Sequence, residues 1–180
     1  MDLGNYGWLT RVDPLPRMVA ETLKIFGTQE KLGSGDNPVI LEWAQEVGGN
    51  VAQSYPADSI PWCGLTMAVV ARRAGKTPPV NPLWALNWRN FGQPSGQPDL
   101  GDVIVFTRNG GGHVGLYVGE DATDYHVLGG NQGDKVCILA YSKERFLEAR
   151  KPLYMNAPAT AVPILLDSKG NRAADAFAVA

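Results

Sequence analysis

The sequence predicts an α+β protein with helices in its first half and an antiparallel sheet of about five strands in its second half. Two observations lead to this prediction. Apolar residues recur at helical spacing early in the chain, whereas short β-branched and aromatic segments separated by turn residues follow later. These later segments lie about ten residues apart, which suits a meander and is too close for the crossovers of a parallel sheet.

The first two helices are predicted from their ends and their apolar faces. The segments "PRMVAETLKIFG" and "DNPVILEWAQEVGG" each reach a glycine that stops a helix. In the second segment Asp36 or Asn37 can act as the cap, and Pro38 suits the first turn. Its residues at helical spacing form one apolar face, made of Ile40, Trp43, Ala44 and Val47.

Two further helices are predicted before the sheet. The third covers about residues 61–74 and is apolar on almost every side, so we expect it to be buried. The fourth is expected in "NPLWALNWRNFG", where a cap, a proline and a final glycine repeat the same pattern. Trp84 and Trp88 are one turn apart in this segment and are predicted to pack within the fold.

The predicted strands are "DVIVFT", "HVGLYVG", "YHVLGG", "KVCILA" and "PLYM". We expect "SKERFLEA" to form a short helix before the last of them. Residues 1–156 are predicted to form one domain. Residues 157–180 are predicted to form a C-terminal tail of unknown role, either docked or partly disordered.

The charge and hydropathy of the chain exclude several classes of protein. The 180 residues include 16 basic and 18 acidic side chains, for a net charge of −2, so no basic excess indicates nucleic-acid binding. No apolar run is long enough for a membrane span, and the N-terminus lacks the pattern of a Sec signal peptide. We therefore expect synthesis in the cytoplasm without a Sec signal and no membrane insertion.

Cys63 is the first candidate for a chemical role. It opens the predicted third helix, where unpaired N–H groups and the helix dipole favour a thiolate, which is the nucleophilic form. A small buried apolar residue is the alternative. Cys137 lies in the middle of an apolar strand, so we expect it to be structural, and the two cysteines form no CxxC pair.

His113 and Asn131 are candidates for the other two members of a catalytic triad. His113 follows a run of three glycines and opens a strand, where a general base would be exposed yet rigidly held. Asn131 comes just after the next strand, and its amide oxygen can fix the tautomer of an imidazole. The alternatives are a polar loop end for the histidine and a turn residue for the asparagine.

The motifs "PWCG", "LGDVIVF", "GGHVGLYVG" and "VLGGNQ", in this order, resemble the NlpC/P60 and CHAP group of cysteine peptidases and amidases. The chain is most similar to a largely uncharacterised bacterial and phage subfamily, through "VAETLKIFGTQEKLGSGDNPVILEW" and "NWRNFG", and the resemblance covers about residues 16–154. It implies a papain-like fold with the cysteine helix packed on the sheet. It also implies hydrolysis of amide bonds in peptidoglycan, with Cys63 as nucleophile, His113 as base and Asn131 orienting His113.

The resemblance also implies an oxyanion site at the backbone N–H of Cys63. The second donor stays open, with Gln53, Tyr55 and Ser59 as the upstream candidates. Trp62 and Gln132 are predicted to bind substrate, Trp62 as a wall of the groove, although Trp62 in the core is the alternative.

Many enzymes of this group use a second histidine as the third residue, and His126 could serve in place of Asn131. His126 and Asn131 are an odd number of residues apart, so in a regular strand they point to opposite faces. We favour Asn131 because it belongs to the "GGNQ" motif.

The predicted function is therefore a cysteine peptidoglycan hydrolase, an endopeptidase or amidase of phage or prophage lysin type, that needs no cofactor and no metal. It would act on the cell wall after release, virion delivery or injection. A non-catalytic virion or wall-binding component is one alternative. A zinc site from the two cysteines and two histidines is another, but their spacing lacks the close pairs that such sites usually have.

Overall fold

The computed structural model of the chain describes residues 2–172 and shows an α+β architecture with an open antiparallel sheet. The α-helices are α1 (Arg17–Lys24), α2 (Pro38–Val47), α3 (Gly49–Ser54) and α4 (Cys63–Arg73). The strands are β1 (Gln93–Ser95), β2 (Val103–Arg108), β3 (Gly111–Glu120), β4 (Asp124–Gly129), β5 (Cys137–Ser142) and β6 (Phe146–Lys151). Short 3₁₀-helices cover Gly4–Arg11, Ala85–Asn90 and Lys143–Arg145.

The predictions for α1, α2 and α4 are confirmed. Of the two proposed caps of α2, Asn37 is the one used, because its side chain accepts a hydrogen bond of 2.9 Å from the Val39 N–H. The buried residues of α2 are the four that form its predicted apolar face. Helix α4 is buried along its first nine residues. Within residues 2–172 no helix combines the length and the apolar character that crossing a membrane requires.

The sheet has the strand order β1-β6-β2-β3-β4-β5, and every pairing in it is antiparallel. The prediction of a short helix in "SKERFLEA" is wrong beyond a single 3₁₀ turn, because the chain from Phe146 onward forms β6. Strand β6 lies between β1 and β2, so its backbone N–H and C=O groups bond across long sequence separations that local patterns do not reveal. The prediction of a strand in "PLYM" is also wrong.

The predicted fourth helix is present only as the 3₁₀-helix Ala85–Asn90. Trp88 is buried and donates its indole N–H to the Pro82 carbonyl at 2.9 Å, as core packing requires. Trp84 is 54% exposed, so the prediction that it packs within the fold is wrong.

The two faces of the sheet have different cores. One face carries Val105, Val114 and Leu116 and packs with the helices in the main core. The other face carries Phe106 and Tyr117, which pack with Tyr125, Tyr141 and Phe146 in a second, largely aromatic cluster. Tyr141 of this cluster stacks on His113, whose partner across the sheet is Phe106.

Most of the predicted C-terminal tail is docked on the sheet. Glu120 at the end of β3 donates its N–H to Ile164 and accepts from Leu166, at 2.9 and 2.8 Å, and both apolar side chains are buried. Farther along, the Trp8 indole N–H donates to the Gly170 carbonyl at 3.2 Å. The alternative of a docked tail therefore holds through residue 172, and residues 173–180 lie outside the described residues.

Gly130 allows the loop after β4 to approach α4 closely. A side chain at this position would overlap the Thr66 hydroxyl and would lie 2.7 Å from the Trp62 ring. The absence of a Cβ atom thus brings the loop that carries Asn131 and Gln132 onto the start of the helix that carries Cys63.

We expect Gly130→Ala to lower the free energy of unfolding by about 1–3 kcal/mol, because the added methyl group forces this packed junction apart. Urea denaturation measures the change. Gly96→Ala is the matched control, since nothing lies within 4 Å of a Cβ at that position. Equal losses in the two variants would contradict the close approach.

Candidate active site

Cys63 lies at the N-terminus of α4 and lines a cleft of about 790 Å³. Its side chain is only 3% exposed, so the cleft reaches the thiol at its inner end. The facing walls are formed by residues 77–85 and by the turn at residues 108–112. The predicted placement of this cysteine at a helix start is therefore confirmed, and the structure adds a cavity beside it.

The Cys63 thiol is protonated at rest. Burial raises the pKa of the thiol, and this effect outweighs the backbone N–H groups of Val114, Gly64 and Cys63 that lower it. The positive charge of Arg108 lowers the pKa as well. The N–H groups predicted for the helix start do act on the sulfur, but they do not by themselves produce a thiolate. Ionisation therefore requires a base.

That base can be His113, the residue before Val114 in β3. The Val114 backbone N–H lowers the pKa of the thiol, and α4 packs on β3, so the sulfur lies near this part of the strand. After burial, the charge of Cys63 is the largest effect that raises the pKa of Tyr141. The His113 ring stacks on Tyr141, with the ring centroids 4.7 Å apart and the planes within 13° of parallel. Tyr141 therefore connects the surroundings of the thiol with those of the imidazole.

Gln132 determines which nitrogen of His113 carries a proton. The amide nitrogen of Gln132 donates to the carbonyls of Val127 and Cys137, at 3.0 and 2.7 Å. This orientation turns the amide oxygen toward His113 Nε2, at 2.9 Å. Because an amide oxygen only accepts, Nε2 must carry the hydrogen, and Nδ1 keeps a lone pair that can take a proton.

The prediction that Asn131 orients His113 is wrong. Asn131 has a left-handed backbone with φ of 55°, and its amide donates to Glu30 Oε1 at 3.0 Å. The same Glu30 oxygen accepts the indole N–H of Trp62 at 2.6 Å. This one oxygen of Glu30 therefore links Trp62, which precedes Cys63, to Asn131, which precedes Gln132.

The predicted substrate-binding roles of Trp62 and Gln132 do not agree with their burial. Trp62 is fully buried and packs on Trp43, so it belongs to the core, which was the alternative reading of this residue. Gln132 is 1% exposed, bonds His113 and does not line the cleft. Trp84 does line the cleft, and it is 54% exposed. The sequence signal that could have indicated it is its position just after a proline-rich segment, Pro78 to Pro82, at the start of the predicted helix.

His126 does not take part in this site. It is fully buried, and its Nδ1 lies 2.6 Å from the Tyr6 hydroxyl while its Nε2 lies 3.1 Å from Asp121. Both ring nitrogens are therefore occupied by groups that anchor the N-terminal segment and the turn after β3. His126 is therefore not the partner of His113.

The upstream candidates for the second oxyanion donor are not at the cleft. Tyr55 is buried, and its hydroxyl donates to the Ile60 carbonyl at 2.8 Å. Gln53 and Ser59 are exposed but do not line the cavity. Among residues 2–172, no cluster of three or more His, Cys, Asp and Glu side chains could hold a metal ion.

Comparison with family models and with curated proteins gives no relative from which a role could be transferred. No model of a known protein family matches the chain, and no curated protein matches it. The chemistry of the site therefore has to be inferred from its own residues.

Burial lowers the pKa of His113 to about 4, against the raising effect of its Gln132 hydrogen bond, and Arg108 lowers it further. The imidazole is therefore neutral at pH 7, and the site holds a neutral thiol beside a neutral base. Between pH 6.5 and 4 the unfolded chain binds a proton at this histidine that the folded protein does not bind.

We expect the free energy of unfolding to fall by about 3 kcal/mol through this one group as the pH drops from 6.5 toward 4. Urea titrations at several pH values measure the slope. His113→Gln lacks the titrating group, so the difference between its slope and that of the wild type isolates the effect. Identical slopes would show that His113 is not buried as a neutral base.

Proposed function

We propose that the protein is a cysteine hydrolase that cleaves amide bonds in the peptide part of bacterial peptidoglycan. One observation supports the hydrolase class above all: a cleft-lining thiol starts a helix that packs on β3, the strand that carries an imidazole whose tautomer is fixed by Gln132. The peptidoglycan substrate rests on the resemblance of the sequence motifs to NlpC/P60 and CHAP enzymes, which also suggests a lysin of phage or prophage type.

The geometry supports a general-base mechanism. As Cys63 Sγ attacks the carbonyl carbon of the amide, its proton passes to Nδ1 of His113. The backbone N–H of Cys63 is a candidate donor to the oxygen that becomes negative. His113 then returns the proton to the leaving amine, and a thioester remains. Water, deprotonated by His113, hydrolyses the thioester, releases the carboxylate and restores the thiol.

Gln132 and Tyr141 would act as positioning residues in this mechanism. Gln132 keeps the proton on Nε2, and a positive charge on the imidazolium would be stabilised by its amide oxygen. Tyr141 holds the plane of the ring by stacking. Neither residue lines the cleft, and both would act through His113, which does not line the cleft either.

A non-catalytic component that keeps this fold is the second candidate. The burial of the proposed site favours it, because His113 is only 5% exposed and burial raises the pKa of the Cys63 thiol. Activity measurements on matched variants decide between the two candidates.

We expect the wild type to reduce the turbidity of purified cell walls, and Cys63→Ala to abolish this activity because the nucleophile is lost. Mass spectrometry of the released muropeptides identifies the bond that is cut. Cys137→Ser, which removes the other buried thiol, should retain the activity, and so should the wild type in EDTA. Equal clearing by wild type and Cys63→Ala would refute the assigned nucleophile.

Gln132→Ala should lower kcat by about 100-fold and leave KM nearly unchanged, because the buried amide orients the base and does not touch substrate. Asn131→Gly is the matched control, since glycine tolerates the left-handed backbone and should cause a much smaller loss. Steady-state kinetics on purified muropeptides give both constants, and melting curves verify that each variant is folded. A larger loss in Asn131→Gly would restore Asn131 as the orienting residue.

A further inference from the structure

The charged side chains that line the cleft beside Cys63 are all positive among the described residues. Two arginines, Arg72 and Arg108, line it, and none of the described residues that line it is an aspartate or a glutamate. The chain as a whole carries a net charge of −2, so the positive cleft does not follow from the overall composition. A cavity of this kind attracts anionic groups and repels amines.

Arg108 lies at the catalytic end of this cleft. It is the last residue of β2, and the turn that follows leads back to β3 and His113. It lines the same cleft as Cys63, and its positive charge lowers the pKa of both Cys63 and His113.

Arg108 has no partner within residues 2–172. No hydrogen bond or ion pair engages its exposed side chain there, whereas Arg73 and Arg89 pair with Glu46 and Glu148 at 2.6 and 3.0 Å. Unpaired surface arginines are common, but this one points its charge into a cavity that contains a candidate nucleophile. A guanidinium in that setting can bind a carboxylate with two parallel hydrogen bonds.

We propose that Arg108 binds a carboxylate of the substrate close to the scissile amide, so that the cleft selects carboxylate-bearing peptides over their amidated or amine-bearing forms. This inference rests on the proposed function, because it names the substrate class of the same site. Arg108 is then a specificity-determining residue, and its contact with substrate aligns the carbonyl with Cys63.

Arg72 provides a control within the same cleft. It lies nine residues after Cys63 on α4, which corresponds to about 14 Å along the helix axis. Arg72→Gln therefore removes the same charge from the cavity far from the scissile bond.

The test compares muropeptides from digested cell walls with the same muropeptides after chemical conversion of their carboxylates to primary amides. We expect amidation to lower kcat/KM of the wild type about tenfold, the size of one charge-assisted hydrogen bond. Arg108→Gln should cleave both forms at the lower rate, and Arg72→Gln should keep the wild-type preference. A wild type without preference, or an Arg108→Gln variant that keeps it, would overturn the inference.

Binding separates this inference from the proposed hydrolysis. Calorimetry with the Cys63→Ala variant measures muropeptide affinity without turnover, and adding Arg108→Gln should weaken it about tenfold for the carboxylate form only. If no muropeptide is cleaved but this Arg108-dependent binding is present, the hydrolase proposal fails and the carboxylate site stands. If Arg108→Gln leaves the binding unchanged, the carboxylate site is wrong whether or not the wild type is active.

Discussion

The side-chain amide of Gln132 is the contact on which the rest of the site depends. Its nitrogen is held by two backbone carbonyls of the sheet, so its oxygen can face only His113. The protonation pattern of the imidazole is thereby set by the backbone of β4 and β5. An exposed side chain would leave the orientation of the imidazole subject to competition from solvent. Here the orientation depends on the backbone of the strands.

Burial has two effects on the same site. It keeps water away from the thiol and the imidazole, and it also holds both groups neutral, because it raises the pKa of Cys63 and lowers that of His113. In the proposed mechanism, separating charge between thiol and imidazole would cost free energy until the sulfur bonds to a substrate carbonyl, so proton transfer and bond formation would be coupled. The resting protein offers little reactive thiolate to solutes outside the cleft.

The features that depend on local sequence patterns could be predicted. The cap and buried face of α2 follow from a few neighbouring residues, and so does the position of Cys63 at the start of an apolar helix. Strand β6 was missed because its pairing partners are distant in sequence, and local charge alternation in "SKERFLEA" favoured a helix.

The choice between Asn131 and Gln132 depended on one backbone angle. The left-handed conformation of Asn131 directs it toward Glu30, and the next residue then reaches His113. The sequence indicated this turn only as the alternative role of Asn131, and it did not indicate that Gln132 would reach His113. Trp62 was misjudged in a similar way, since a residue beside a nucleophile can point into the core.

Glu30 lies in neither the helix that carries Cys63 nor the loop that carries Gln132, yet it hydrogen-bonds the residue that precedes each of them. A single oxygen in the connection between α1 and α2 accepts a hydrogen bond from Trp62, at the entry to α4, and another from Asn131, in the loop after β4. The position of α4 relative to the loop that carries Gln132 therefore depends on three chain segments that meet at one atom. Removal of this oxygen would deprive the Trp62 indole and the Asn131 amide of their acceptor at the same time, so both junctions would weaken together.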